Sequence, residues 1–367
     1  MGPNLLLLLA MVTANLLSLY HLSSNLQSQQ PQTPPVVPDH LIRQLSTIRA
    51  TINHLTRHQQ DGPTTKRQTT SSSPSDLLLY SSLGPIASSC RDHPHLLRAY
   101  MNYTPFSPCP RDSNVVAESL ILRGCSPLPR RRCFSSTPHR PTSTLDDNPF
   151  PVPLSDSNVI WDDSLSPCRR FKCLNPKLGF DMGIESKRFL SYNSESDLTI
   201  PQLMKAAEAA GSVLRLGIDI GGGTGTFAVR MKQRNVTVVT TTMNLGAPYN
   251  EVAALRGVVP LHVPLQQRIP IFDGVLDLVR CGHAVNRWIP VVMMEFLLGD
   301  LDRVLRGGGF LWLDHFFSKG SDLEKVYKPL IGRLGYRIVK WAAANKTDSK
   351  NGEVYLTALL QKPKSRS

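Results

Sequence analysis

The stretch VLRLGIDIGGGTGTF, residues 213–227, restricts the fold more than any other part of the chain. Val213 to Ile220 is a short, mostly apolar run that reads as a buried strand. It carries Asp219, meets Gly221, Gly222, Gly223 and Gly225, and turns into an expected helix at Thr226. Glycine belongs where backbone must approach a ligand or take positive φ. Amides at the opening of the following helix can receive an anionic or polar group. The composition predicts a strand–loop–helix that binds a nucleotide or cofactor.

Three loops of this kind compete. A dinucleotide fold wants G-x-G-x-x-G with an acidic residue about 20 positions on. Here Gly221 and Gly223 are followed by Gly225, and position 226 is Thr, so that fit is poor. The sugar-kinase, actin and chaperone ATPases use stretches resembling IDIGGGTGT in a hairpin that grips ATP phosphates. The class I S-adenosylmethionine-dependent methyltransferases open on acidic-x-Gly-x-Gly-x-Gly, and Asp219, Gly221, Gly223 and Gly225 match it position by position.

The downstream order separates them. Helices are expected at 203–210, 226–233, 248–256, 291–306 and 321–333. Strands are expected at 213–220, 236–242, 258–263, 275–281, 310–313, 336–341 and 353–361. Met294, Leu297, Leu298, Leu301 and Leu305 recur at helical spacing and read as core. Gly307, Gly308 and Gly309 stop that helix before a strand ending in Asp314 and His315. Such alternation means a parallel sheet with helices on both faces. An ATPase of the rival kind needs a hairpin after the loop and two further motifs, and neither is found.

By contrast, FDGVLDLV (272–279) and LDRVLRGGGFLWLDHFF (301–317) resemble the fourth and fifth strand regions of class I methyltransferases. With CSPLPRRRCF (125–134) and the Trp161–Leu174 stretch, the likeness extends to plant Golgi-type methyltransferases related to pectin methyltransferases, over residues 115–361. The resemblance implies an α/β Rossmann-like fold with a seven-stranded, mostly parallel sheet. It also implies S-adenosyl-L-methionine against the backbone at Gly221, Gly222, Gly223 and Gly225. Asp219 would organise the loop or bind the cofactor's ammonium, directly or through water. The family's ribose-binding carboxylate is missing after the second strand, where Asn244 would hydrogen-bond one hydroxyl instead. Gly307 stands where the family has Pro. His283, Asp314 and His315 fall where this fold contacts the acceptor, with His315 the candidate base should the acceptor be a hydroxyl. An ionised carboxylate acceptor needs no base. No metal-ligand spacing is visible, and no metal is expected.

Residues 4–20 form an apolar stretch of about the length that spans a bilayer. With no Lys or Arg before them and no clear cleavage site, they read as an uncleaved signal-anchor, residues 1–21. The expectation is a Golgi membrane protein, single-pass type II with a lumenal catalytic domain; other endomembranes or secretion are the alternatives. Residues 22–76 read as a flexible stem. Within it Leu41, Leu45, Ile48, Ile52 and Leu55 make a short heptad-like seam that would pair two copies through residues 39–59. An accessory region, 77–180, holds Cys90, Cys109, Cys125, Cys133, Cys168 and Cys173, an even count suited to an oxidising lumen. Six cysteines allow fifteen connectivities. Asn102, Asn235 and Asn345 head glycosylation triplets. The methyltransferase domain is expected at 181–367.

The net charge of +13 suits a polyanion or an anionic membrane, and equally a merely soluble basic surface. No aromatic-and-basic nucleic-acid motif appears. An acidic polysaccharide is the expected acceptor, which the run Arg130–Arg132 could grip. The rival expectations are a methyltransferase-fold scaffold without activity, and methylation of a small molecule or protein.

Overall fold

The computed structural model describes residues 88–136, 148–161, 168–192, 194–345 and 352–364. The expected anchor, stem and heptad-like seam lie outside the described residues. Those residues fall within one compact unit, Ser82–Ser367. Among them no helix is long and apolar enough to cross a membrane.

Three short helices come first: α1 (Ser88–Arg91), α2 (Pro94–Met101) and α3 (Ser113–Leu122). Disulfides Cys90–Cys125 and Cys109–Cys133 tie this part around a small core of Cys90, Tyr100, Leu120 and Cys125. Cys168–Cys173 closes the third bridge, and Cys281 is a buried free thiol. The basic run is partly used by its own neighbourhood. Arg131 lies over the Tyr100 ring at 4.0 Å and donates to the Tyr100 carbonyl. Arg130 and Arg132 are exposed.

After α4 (Met182–Glu185), helix α5 spans Ile200–Ala209. It starts three residues before the expected point because Thr199 and Gln202 form a reciprocal capping box and Pro201 sits in the first turn. The sheet follows: β1 (Leu216–Ile220), α6 (Thr226–Lys232), β2 (Thr237–Thr241), α7 (Tyr249–Leu255), β3 (Val259–Leu261) and β4 (Leu276–Cys281). Then come α8 (Val291–Val304), β5 (Leu305–Lys319), a helical segment over 320–332 with a π turn at Leu323–Tyr327, β6 (Arg337–Asn345) and β7 (Glu353–Gln361).

The seven strands lie in the order β3-β2-β1-β4-β5-β7-β6. Pairs from β3 through β5 are parallel, and β7 runs antiparallel between β5 and β6. Alternation along the strands divides two cores. Ile218, Ile220, Val279 and Leu311 pack under Met294, Leu297, Leu298 and Leu301 of α8. Leu278, Phe310 and Trp312 face the other way, onto Leu203, Phe227, Met231 and Val252. Phe150, Leu174 and Phe180 join this second core, so the chain from residue 150 packs directly onto the sheet.

One element departs from expectation in a way that matters. The strand expected at 310–313 is a fifteen-residue strand. Its outer half pairs with β7 through Phe316↔Leu356 and Phe317↔Tyr355, beyond a register shift between Leu313 and Phe316. His315 stands in that irregularity with φ 54°, a conformation non-glycine residues rarely take. Asp314 and His315 therefore lie inside a strand, not after it. The two polar residues hide the continuation because they interrupt the apolar run at the bulge.

Candidate functional site

β1 ends at the expected loop. Gly221, Gly223 and Gly225 take φ of 66°, 60° and 78°. A Cβ on Gly221 would come within 2.2 Å of the Ala284 Cβ, and one on Gly222 within 2.3 Å of the Asp219 carboxylate. At Gly223 the nearest atom to a Cβ is on the Tyr249 ring, 3.9 Å away. Gly221 thus lets the loops after β1 and β4 close on each other, Gly222 lets the chain lie over Asp219, and Gly223 faces open space. Thr241 fixes the loop from β2, its Oγ1 accepting from the Gly221 amide at 2.9 Å and its carbonyl from Gly222 at 3.0 Å. Arg256 donates to the Thr224 carbonyl at 2.8 Å and to the Thr226 hydroxyl at 2.9 Å, and Thr226 donates to Glu185 of α4.

This loop is the floor of a cavity of about 470 Å³ at the carboxyl ends of the parallel strands. Thr241, Thr242, Met243 and Gln266 line one side, and Arg188, Phe189, Arg280 and His283 the other. That is where an open α/β sheet holds its ligand, at the point where strand order reverses between β1 and β4. A second cavity of about 990 Å³, lined by Lys187, Asp197, His283, Asp314 and His315, shares Arg188, Phe189 and His283 with the first. The wall between them is the segment around Phe189, whose φ is 65° and whose ring meets Phe227 and Trp312 edge-on at 5.5 and 6.0 Å.

Under the wall runs a line of charges. Asp219, Arg280 and Asp314 project from one face of β1, β4 and β5, and Asp219 and Arg280 are direct register partners. Arg280 donates to Asp219 Oδ1 at 2.5 Å and, through Nε at 3.1 Å and Nη2, to Asp314 Oδ2. The guanidinium lies beneath the rings of Phe189 and Phe227, at 4.8 and 5.1 Å. Asp314 Oδ1 meets His315 Nδ1 at 2.7 Å, and His315 Nε2 is 3.4 Å from Asp197. Burial raises the Asp219 carboxyl against the pull of Arg280. Burial acts the same way on Asp314, but there Arg280 and His315 prevail and hold the carboxyl well below the usual range. The hydrogen bond to Asp314 holds His315 above the ordinary histidine value, whereas burial holds His283 below it. The two rings are 5.9 Å apart. One cleft therefore contains an imidazole favouring its charged form and another favouring its neutral form.

The structure brings Gly221, Gly222 and Gly223 to the first cavity, His283 to both, and Asp314 and His315 to the second. Gly225 caps α6, where a Cβ would press on Val258 at 2.8 Å. Two expected site residues, Asp219 and Asn244, lie off the lining of the first cavity. Asp219 is fully buried beneath the loop and off the cavity wall, which fits loop organisation and not direct contact with an ammonium. Asn244 faces a neighbouring cavity, and its amide is occupied by Glu251 and Asn250, which leaves nothing to offer a ribose. No carboxylate lines the first cavity among the described residues; its polar side chains there include Thr241, Thr242 and Gln266. Arg280, Arg188 and Phe189 escape sequence reasoning. Only Arg280 leaves a signal, a charge inside the apolar run LDLVRC.

No family model matches the chain. Solved structures that it resembles include a TehB-like S-adenosylmethionine-dependent methyltransferase of Corynebacterium glutamicum, 17% identical over 44% of this chain and 95% of that one, TM-score 0.32. A second is a phosphoethanolamine N-methyltransferase of Haemonchus contortus, 11% identical over 49% of this chain and 56% of that one, TM-score 0.34. Neither likeness bears weight beside a relative in Arabidopsis thaliana described as a probable methyltransferase. It is 61% identical over 386 aligned positions, covering 100% of this chain and 99% of its own length. The chain belongs to the same methyltransferase family as this full-length relative.

Proposed function

We propose that the chain binds S-adenosyl-L-methionine in the first cavity and transfers its methyl group to an acceptor in the second. The observation that carries this is the shared wall: two cavities meet at Arg188, Phe189 and His283, over the strand ends. The residues present fit the cofactor. The glycine floor is open at Gly223, and the volume lies within the range of about 300–1,000 Å³ usual for small-molecule sites. When bound, the sulfonium supplies an activated methyl and a neutral leaving group. The protein's own part is then alignment and exclusion of water. The glycine loop and Thr241 would seat the methionine end, Thr242 and Gln266 would meet the ribose and base, and Phe189 would screen the reacting centre.

For the acceptor we favour the carboxyl group of a uronate in an acidic cell-wall polysaccharide, methylated in the Golgi lumen. Support comes from Lys187, Arg188 and the charge-favouring His315 in the second cavity, from the +13 net charge, and from three disulfides suited to an oxidising compartment. A uronate is ionised at neutral pH and attacks without a base. A hydroxyl acceptor would call on His283, the neutral imidazole. Anchoring through residues 4–20 and pairing through residues 39–59 belong to the same reading.

A scaffold without activity is the second reading, favoured by the absence of a carboxylate on the first cavity's wall among the described residues. Calorimetric titration with S-adenosylmethionine and its demethylated product separates the two; no binding at millimolar ligand selects the scaffold. Labelled methyl transfer to pectic glycans, neutral glycans, small molecules and proteins then tests the acceptor. Label that appears only outside the acidic glycans overturns the uronate assignment.

A further inference from the structure

Arg280 is placed to do more than balance a charge. It is almost wholly buried, stands on the strand between β1 and β5, and spends its guanidinium on two carboxylates that belong to two different sites. Asp219 lies under the glycine loop, its second oxygen close against Gly222 and without a hydrogen-bond partner. Asp314 orients the His315 ring in the other cavity. Three adjacent strands thus carry an unbroken series of contacts from the floor of one cavity to a side chain in the next. One guanidinium cannot neutralise two carboxylates. On the Asp314 side the remaining demand falls on the His315 proton. On the Asp219 side it can be met by positive charge arriving above the loop.

We propose that Arg280 is a positioning residue that joins the cofactor loop to the acceptor-side His315, so that charge gained or lost in the first cavity changes the proton affinity of His315. A cation over the loop lets Asp219 rely less on Arg280, and the guanidinium then serves Asp314 more fully. His315 yields its proton more readily as a result. Methyl transfer removes a positive charge from the cofactor, so the histidine would hold its proton differently before and after reaction. This rests on the cofactor reading above for its second half, and on the geometry of the free protein for its first.

The groups facing His315 are Asp314 on its own strand, Arg280 and His283 at the end of β4, Asp197 from the segment before α5, and Tyr355 of β7 at 6.0 Å. Lys187 and Arg188 line the same cavity. Apart from Arg280 where it is itself replaced, none of these residues is altered in Asp219→Asn or Arg280→Gln.

The test is the titration midpoint of His315, read by NMR on histidine-labelled protein and assigned with His315→Gln. Asp219→Asn removes one carboxylate from Arg280, and the midpoint should move to lower pH by a few tenths of a unit or more. Arg280→Gln leaves Asp314 with His315 alone, and the midpoint should move to higher pH. A purely structural loosening would send both variants down, toward an ordinary histidine, so a fall in Arg280→Gln overturns the proposal. Should Arg280→Gln fail to fold, Asp219→Asn is read together with the ligand comparison in the wild-type protein, which no loosening affects, and an unmoved Asp219→Asn midpoint overturns the coupling. In the wild-type protein, S-adenosylmethionine should lower the midpoint more than its demethylated product does. Equal midpoints with both bound ligands refute the link. If calorimetry shows that neither ligand binds, the cofactor reading fails, and the two variants still judge the bridge.

Discussion

Consider an alanine at each of two adjacent glycines. At Gly222 the backbone is ordinary, but the new methyl would stand 2.3 Å from Asp219 Oδ2 and 2.7 Å from the Thr240 Cγ2. Both neighbours belong to buried residues of central strands, and Asp219 is held by Arg280, so neither can retreat freely. Overpacking of this kind costs about 1–3 kcal/mol. At Gly223 the space is open but φ is 60°. Left-handed backbone costs an alanine about 1–2 kcal/mol, of which about 0.4–1 kcal/mol is returned because alanine has fewer unfolded conformations to lose. The same return applies at Gly222, so Gly222→Ala should be the more destabilised, by roughly 1–1.5 kcal/mol, or about 2–6 °C in Tm for a domain of this size. Gly223→Ala should stay within about 1 kcal/mol of the parent, yet lose affinity for S-adenosylmethionine, because its methyl stands on the cavity floor. Urea unfolding and calorimetric titration of both variants make the check. If Gly223→Ala is the less stable, or binds the cofactor as well as the parent, the account of the loop is refuted.

Two further outcomes can be measured directly. Asp314 has a lowered carboxyl pKa, so its stabilisation is complete above the unfolded value of about 3.9 and is lost as pH falls below it. His315 is raised, so its contribution is complete below about 6.5 and is lost as pH climbs through the folded value. Unfolding free energy should therefore decline on both sides of that window, and Asp314→Asn should flatten both limbs; unaltered limbs would count against the assignment. The Cys90–Cys125 bridge spans 35 residues. Loop-closure entropy alone credits such a cross-link with about 4 kcal/mol, so replacing both cysteines by serine should open the small core around Tyr100 and Leu120 to proteolysis near α1–α3. A cleavage pattern identical to the parent's would contradict this.

How far the sequence speaks depends on which physics a residue serves. Period-two alternation and β-branched runs fixed β1, β2 and β4 to within a few residues, because burial on a sheet face leaves that signature. The glycine loop was legible for the same reason: positive φ at Gly221, Gly223 and Gly225 excludes most other residues. β5 was foreshortened because its outer half is defined by pairing with β7, a contact made across about forty residues of chain that no local window contains. Asn244 was set toward the ribose by its position after β2, but its orientation is decided by Glu251 and Asn250, one helix further on. Arg280 gains meaning only when three strands lie side by side. The histidines were found by where they fall in the fold; their opposed proton affinities come from burial and from Asp314, which depend on the folded neighbourhood.

The order of β5, β7 and β6 bears on how the chain is made. During synthesis β5 and β6 leave the ribosome with a strand-wide gap between them, and the segment that fills it emerges last. Until then two rows of unpaired backbone groups stand open to any passing strand. A message broken shortly before codon 353 would yield not a slightly shortened enzyme but a five-stranded sheet with β5 as an open edge and β6 left without its neighbour, a natural client for chaperones and proteases.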